Sequence, residues 1–321
     1  MKRIASIGVV AFAALSFAMP AAAQRSRDVI WRNPGRVEQL DLAGGPGGRA
    51  GVPKPPFTFV KEDTGGTNPK IEVKDATGRT WGVKWGEEVN SEVFASRIAW
   101  AAGYFVDPTY YVPAGKIVGV TSLDRAKKYV GGDGSFTEAR FELKDKSVVK
   151  LKDEQSWRWE MNPFVGTKEL SGLKIVLMLV SNWDSKDQRD AGRGSNTMIA
   201  QAKTRAGTEN RYVFSDWGGT MGKWGGVFRR AKWDADGFMD QSEDFIKGAK
   251  GGLVEFGYSG QHTESVKEGI PVEHAKWIAG IVGRLSDDQI RAALKVCGAS
   301  PSEIETFTRA MRVRLSALTG L

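Results

Sequence analysis

Strand-like runs crowd the first part of this chain and helix-like runs fill its last third. That segregation is the tightest limit on its fold, because strands followed by helices give an α+β architecture rather than an alternating parallel one. Phe57-Thr58-Phe59-Val60 opens the pattern, and Thr64-Gly65-Gly66-Thr67 breaks it. Ile71-Glu72-Val73 then alternates with period two, Asp75-Ala76-Thr77-Gly78 signals a turn, and residues 80–85 read as a third strand. A helix follows, capped by Asn90 or Ser91, with Val93, Ala95, Ile98, Ala99 and Ala102 on its apolar face. Gly103 is its expected stop before the extended run Tyr110-Tyr111-Val112.

The middle of the chain carries a strand-like run at 139–143. A strongly apolar helix is expected over 167–182, with a polar loop at 184–195 and strands at 197–200 and 211–214. Three helices are expected at the end, over 271–285, 286–296 and 302–318. Ser286-Asp287-Asp288-Gln289 reads as a capping box, and Ser300-Pro301-Ser302-Glu303 as another helix start. No internal repeat is evident.

The first residues read as a signal peptide rather than as part of the fold. Lys2 and Arg3 precede an apolar stretch over 7–18, and Ala21-Ala22-Ala23 offers a small-residue cleavage site. The stretch is too short to span roughly 30 Å of hydrocarbon. Removal of residues 1–23, with cleavage after Ala23, and a secreted or periplasmic location are therefore expected. Residues 24–56, with Gly44-Gly45-Pro46-Gly47-Gly48 and Pro53, Pro55 and Pro56, read as a flexible leader.

Composition removes several classes of chemistry. Cys297 is the only cysteine, so no intramolecular disulfide forms. His262 and His274 have no cysteine partners and no recognisable nucleophile context, which disfavours a zinc site and a Ser-His-Asp hydrolase. The net charge of +8, two units of which lie in Lys2 and Arg3, suits an anionic partner such as a nucleotide, a phospholipid surface or a polyanion. No specific nucleic-acid signal is present. The 11 tryptophans suit either a core or sugar-binding platforms.

Three separated pieces carry chemistry when taken together. Lys84 lies on a strand that follows a glycine-containing hairpin. Asn182-Trp183-Asp184-Ser185-Lys186 closes the apolar helix, with Ser195-Asn196-Thr197 entering the next strand. Val213-Phe214-Ser215-Asp216-Trp217-Gly218 ends a strand in an Asp-aromatic-Gly turn. Phosphoryl transfer needs a lysine at the phosphates, backbone amides near their oxygens, a divalent cation on carboxylate and amide oxygens, and a carboxylate at the acceptor. Lys84 and the Gly65-Gly66 turn supply the first two. Asp216 and Asn196 suit the cation, Asp184 the acceptor hydroxyl, and Gly218 a sharp turn after Asp216.

With these residues in this order, the sequence resembles the protein-kinase-like superfamily over most of 57–320, closest to its atypical HipA-like and phosphoinositide-kinase-like branch. Lys84 matches the nucleotide lysine, and Glu92 in Ser91-Glu92-Val93-Phe94-Ala95-Ser96-Arg97 matches the helix glutamate that pairs with it, with Glu88 a competitor for that role. Asp184 and Lys186 match the catalytic loop, Asn196 the metal asparagine and Asp216 the metal aspartate. The resemblance implies a bilobal fold with ATP and Mg2+, or Mn2+, in the cleft. The small antiparallel-sheet N-lobe spans 57–160 and the mainly helical C-lobe spans 161–321. Two features depart from the family. The pattern Asp-x-Lys-x-x-Asn has Arg189 at its last position, so Asn196 serves only if 187–195 is an insertion. The Gly65-Gly66 turn also lacks a full G-x-G-x-x-G.

Three functions follow as expectations. The first is an exported kinase-like enzyme phosphorylating a protein, lipid or glycan hydroxyl. The second is a pseudokinase that binds without turnover, and the third an envelope protein that binds sugars or polyanions. Arg229-Arg230 with Lys232, and Arg309 with Arg312 and Arg314, are basic clusters of either an anionic contact or a solvated face. Residues 218–226 read as a mobile activation-type segment, and not as a Walker A motif.

Overall fold

A computed structural model describes residues 26–66, 68–225 and 230–321. The expected signal peptide, Thr67, Gly226 and Arg229 lie outside the described residues. Strand β1 (Arg27–Val29) comes first. Strands β2 (Phe57–Asp63), β3 (Lys70–Lys74) and β4 (Thr80–Lys84) follow, then helix α1 (Val89–Ala101) and strands β5 (Thr109–Val118) and β6 (Ser135–Leu143). Alternating Phe57, Ile71, Val73, Trp81, Val83, Phe136 and Phe141 fill a common interior. The expected antiparallel sheet is thus a closed barrel in the order β2-β3-β4-β6-β5, sealed by a parallel pairing of β2 with β5. Closure leaves no free strand edge.

Strands β7 (Val148–Lys150), β8 (Thr197–Thr204) and β9 (Gly207–Phe214) build a second sheet in the order β1-β9-β8-β7. Between β7 and β8 runs helix α2 (Lys168–Leu179), N-capped by Thr167, whose hydroxyl accepts from the Leu170 amide at 3.3 Å. Its apolar residues are buried on every side, so it sits at the centre of the larger core. The remaining elements are α3 (Ala235–Asp240), the hairpin β10 (Ile246–Lys250) and β11 (Leu253–Phe256), α4 (Thr263–Lys267), α5 (Val272–Val282), α6 (Asp287–Val296) and α7 (Pro301–Thr319). The capping boxes at Ser286 and Ser300 are both formed. Among the described residues no helix is long and apolar enough to cross a membrane.

Three expectations are corrected. Residues 26–56 are docked, not flexible: Ile30, Val37 and Leu42 are buried, and the Trp31 indole donates to Ala102 O at 2.7 Å. A Cβ on Gly47 would fall 2.1 Å from the Tyr110 hydroxyl, so glycine there permits close packing rather than flexibility. Helix α1 starts at Val89, so both expected caps lie inside it and bond elsewhere. Ser91 Oγ donates to Gly218 O at 2.8 Å, and Asn90 Nδ2 to Cys297 O at 2.7 Å. Residues 218–224 lack helix and strand, as their glycines imply, but are largely buried and pinned by the Met221 amide donating to Val180 O at 2.9 Å. The tryptophans are all buried or half-buried.

Candidate active site

Lys84 is the last residue of β4, and strand alternation turns it away from Val83 and the barrel interior toward α1. Its Nζ lies 2.9 Å from Glu92 Oε2 in the first turn of α1 and 2.6 Å from Oε2 of Glu88, the residue that caps that helix. Both glutamates therefore touch the lysine, and their second oxygens differ. Arg140 of β6 holds Glu92 Oε1 at 3.0 Å, while Lys232 holds Glu88 Oε1 at 2.6 Å. Arg140 also reaches Glu142 Oε2 at 2.7 Å, completing a buried chain of alternating charge.

These neighbours set the protonation of the group. Burial alone depresses the Lys84 ammonium, but the charges of Glu92, Asp216 and Glu88 outweigh it and hold the amine above its ordinary value. Burial works against Glu88 too, and its two lysines overcome it, bringing that carboxyl to about 2. Glu92 is fully enclosed, and burial raises its carboxyl against the pull of Arg140 and Lys84.

Asp184 follows α2 by a loop whose direction is set at Ser181, a buried non-glycine residue at φ 55°. Asn182 then bonds in both directions: its Oδ1 accepts from the Asp184 amide, and its Nδ2 donates to Asp216 O, each at 3.0 Å. Gln261 Nε2 donates to Asp184 Oδ1 at 2.7 Å, and Lys186 Nζ stands 3.3 Å from Oδ2. Burial raises the Asp184 carboxyl above its usual value against Lys186, and the Asp216 charge adds to the rise.

Residues 187–195 leave this loop and return to it as a short 3-10 turn, Gln188–Arg193, capped by Asp187. The Asn196 amide donates to Lys186 O at 3.2 Å, and its Nδ2 to Asp184 O at 2.5 Å, so the excursion closes with Asn196 beside Asp184. Asp216 stands two residues beyond β9, with its Oδ1 accepting from the Gly218 amide at 2.9 Å. Glycine at 218 is required by a close approach rather than by the turn: a Cβ there would meet the Glu88 carboxylate at 2.8 Å.

One open cleft of about 320 Å³ is lined by Lys84, Glu92, Asp184, Lys186, Asn196 and Asp216, together with Gly66 from the β2–β3 turn. Gly65 is not among its lining residues, and its amide donates to Asp63 Oδ1 at 3.0 Å instead. Carboxylate oxygens of Glu88, Glu92 and Asp216 lie within 4.8 Å of one another, a hard-oxygen donor set that fits a divalent cation. Arg140, Glu142 and Gln261 belong to the same arrangement and were not singled out from the sequence, and Lys232 was grouped only with a basic cluster. Only the charged positions alternating with Ala139 and Phe141 hinted at the first two.

No protein-family model matches the chain, and no curated protein matches it in sequence. Among solved structures it is similar to a Golgi casein kinase, at 8% identity and a TM-score of 0.40, over 88% of this chain and 74% of that one. It is also similar to the Golgi casein kinase with Mn/ADP bound, at 10% identity and a TM-score of 0.37 over the same shares. A likeness this distant assigns no role to any residue here.

Proposed function

We propose that the cleft binds ATP with Mg2+ or Mn2+ and transfers the γ-phosphoryl group to a hydroxyl of a protein, lipid or glycan acceptor. The observation that carries this is the Lys84–Glu92 ion pair of 2.9 Å inside the cleft that Asp184, Asn196 and Asp216 also line. The proposal includes a bilobal protein-kinase-like arrangement of 57–160 and 161–321, of the atypical kind because the β2–β3 turn lacks the full glycine motif. It also includes export directed by residues 1–23.

In this scheme the Lys84 ammonium meets phosphate oxygens, and Glu92 with Arg140 positions it. Asp216 and Asn196 hold the cation, which when bound offsets phosphate charge. Asp184 accepts the proton of the acceptor hydroxyl as its oxygen bonds to the γ-phosphorus and the bond to the β-phosphate oxygen breaks, leaving ADP. Its raised carboxyl suits a proton acceptor. The test is calorimetry of ATP with and without Mg2+, beside Lys84→Ala and Asp216→Ala. Magnesium-dependent binding that both variants lose is the expected result; no binding at millimolar ATP overturns the proposal.

A binding module without turnover is the second proposal, favoured by Glu88. Its contact with Lys84 at 2.6 Å, tied to Lys232, already occupies the amine. Magnesium-dependent ATP binding with no ADP formed in the presence of hydroxyl acceptors assigns the protein to this class.

A further inference from the structure

A cavity of about 480 Å³ lies where the end of β1, the end of α1 and β9 meet, away from the residues that hold Lys84. That volume is typical of small-molecule sites, which span roughly 300–1,000 Å³. The docked segment supplies Arg32, Pro34 and Pro46 to its wall, the chain around the end of α1 supplies Trp100 and Phe105, and β9 supplies Arg211.

The charge here is unbalanced. Arg27, Arg32 and Arg211 all pair with the single carboxylate of Glu209, at 3.1, 2.9 and 3.3 Å. Burial would raise that buried carboxyl, but the three arginines hold it below its ordinary value. Three guanidiniums against one carboxylate leave positive charge in excess. Arg32 reaches Glu209 only through NH2, and Arg211 only through Nε. Among the described residues, the other nitrogens of these two forks have no hydrogen-bond partner. Both are nonetheless held in place: their guanidiniums lie over the Phe105 ring at 5.4 and 5.0 Å, and the Arg32 amide donates to Gly103 O at 2.9 Å.

We propose that this cavity binds a small organic oxyanion. Its carboxylate or phosphate head is taken by the spare donors of Arg32 and Arg211, and its apolar planar body packs between Trp100 and the two prolines. Planar forked donors suit such heads geometrically as well as electrostatically. The inference stands apart from the function proposed for the cleft, although the two sites adjoin. A recess lined by Phe105 and Arg211 also contains Lys150 and Met198, which line the cleft.

Calorimetry with phenyl phosphate and with benzoate tests the proposal and distinguishes the two heads, beside inorganic phosphate, which lacks the body. The expected result is one-to-one binding of at least one aromatic probe, unchanged in Asp216→Ala. Arg32→Gln and Arg211→Gln should each weaken it roughly tenfold or more, and inorganic phosphate should bind at least as much more weakly. The Arg32 side chain is 56% exposed, so Arg32→Gln keeps the fold even where Arg211→Gln does not, and melting curves of both variants check this. Failure of both probes at millimolar concentration overturns the proposal. So does affinity unchanged in Arg32→Gln, loss of binding in Asp216→Ala, or equal affinity for inorganic phosphate.

Discussion

Asp184 and Asp216 both line the cleft, yet their surroundings set them to different tasks. Asp216 accepts an amide hydrogen bond from Gly218 and lies among the carboxylates of Glu88 and Glu92, which suits holding a cation. Asp184 is raised by burial and held by Gln261 and Lys186, which suits taking a proton. Asp184→Asn is close in shape and removes the basic oxygen. Phosphoryl transfer should then fall by about 10²–10⁴-fold, the usual contribution of a positioned base, while ATP affinity changes little. The sign of the pH dependence follows from the direction of the shift. The ionised form is the active one, so the rate falls on acidification, with the acid limb above the ordinary aspartate value of 3.8. A transfer rate and profile unchanged in Asp184→Asn would remove it from the chemistry.

At the scale of elements, docking of the segment before the barrel is the feature most exposed to test. Gly47 lies against the Tyr110 hydroxyl, which donates to Gly48 O at 2.9 Å. A methyl at 47 must push that contact apart, and overpacking of this kind costs about 1–3 kcal/mol. Gly132→Ala, where a Cβ meets nothing within 4 Å, is the control. Urea unfolding should show Gly47→Ala destabilised and Gly132→Ala near neutral; equal stabilities would mean that the segment is not held there. The strands around Lys84 and the closing helices were legible in the sequence because each has a periodic apolar face or a capping box. Residues 26–56 were not, since glycine and proline erase periodicity even where a few anchors such as Ile30, Val37 and Leu42 bury. The cleft shows the same division. Lys84, Asp184 and Asp216 stand at ends of patterned elements, and the structure lines one cleft with all three. Arg140 and Glu142 fell in a strand-like run with nothing local to mark them as buried, and only the packing of α1 against β6 encloses them. Asn196 was legible only in outline, because closure of the 187–195 excursion is decided by hydrogen bonds far apart in sequence.

Across the whole molecule, the C-terminal helix and the loop that carries Asp184 are joined by one buried cation. Arg314 of α7 has no exposed surface, and among the described residues no carboxylate pairs with it. Burial drives its guanidinium well below the ordinary arginine value. Carbonyls and rings take the place of an anion. Its NH1 donates to Leu179 O at 3.1 Å and Ser181 Oγ at 2.7 Å, its NH2 to Phe238 O at 3.0 Å, and its Nε to Ser242 Oγ at 2.9 Å. The Phe238 and Trp224 rings lie 3.7 and 4.8 Å from the guanidinium carbon. Arg314 was grouped with Arg309 and Arg312 as a surface cluster, and the structure instead makes it a strut from α7 to the end of α2 and to Ser181, three residues before Asp184. Hydrogen bonds to a charged group contribute about 1.5–3 kcal/mol each, and removing the donor leaves buried acceptors unpaired. Arg314→Met keeps an unbranched apolar body and loses every donor, so it should cost about 3 kcal/mol or more in urea unfolding. Arg314→Lys, which keeps the charge without the fork, should fall between the two. A loss below about 1 kcal/mol in Arg314→Met, the size of a single ordinary hydrogen bond, would mean that the apolar packing around α7 holds the loop without it.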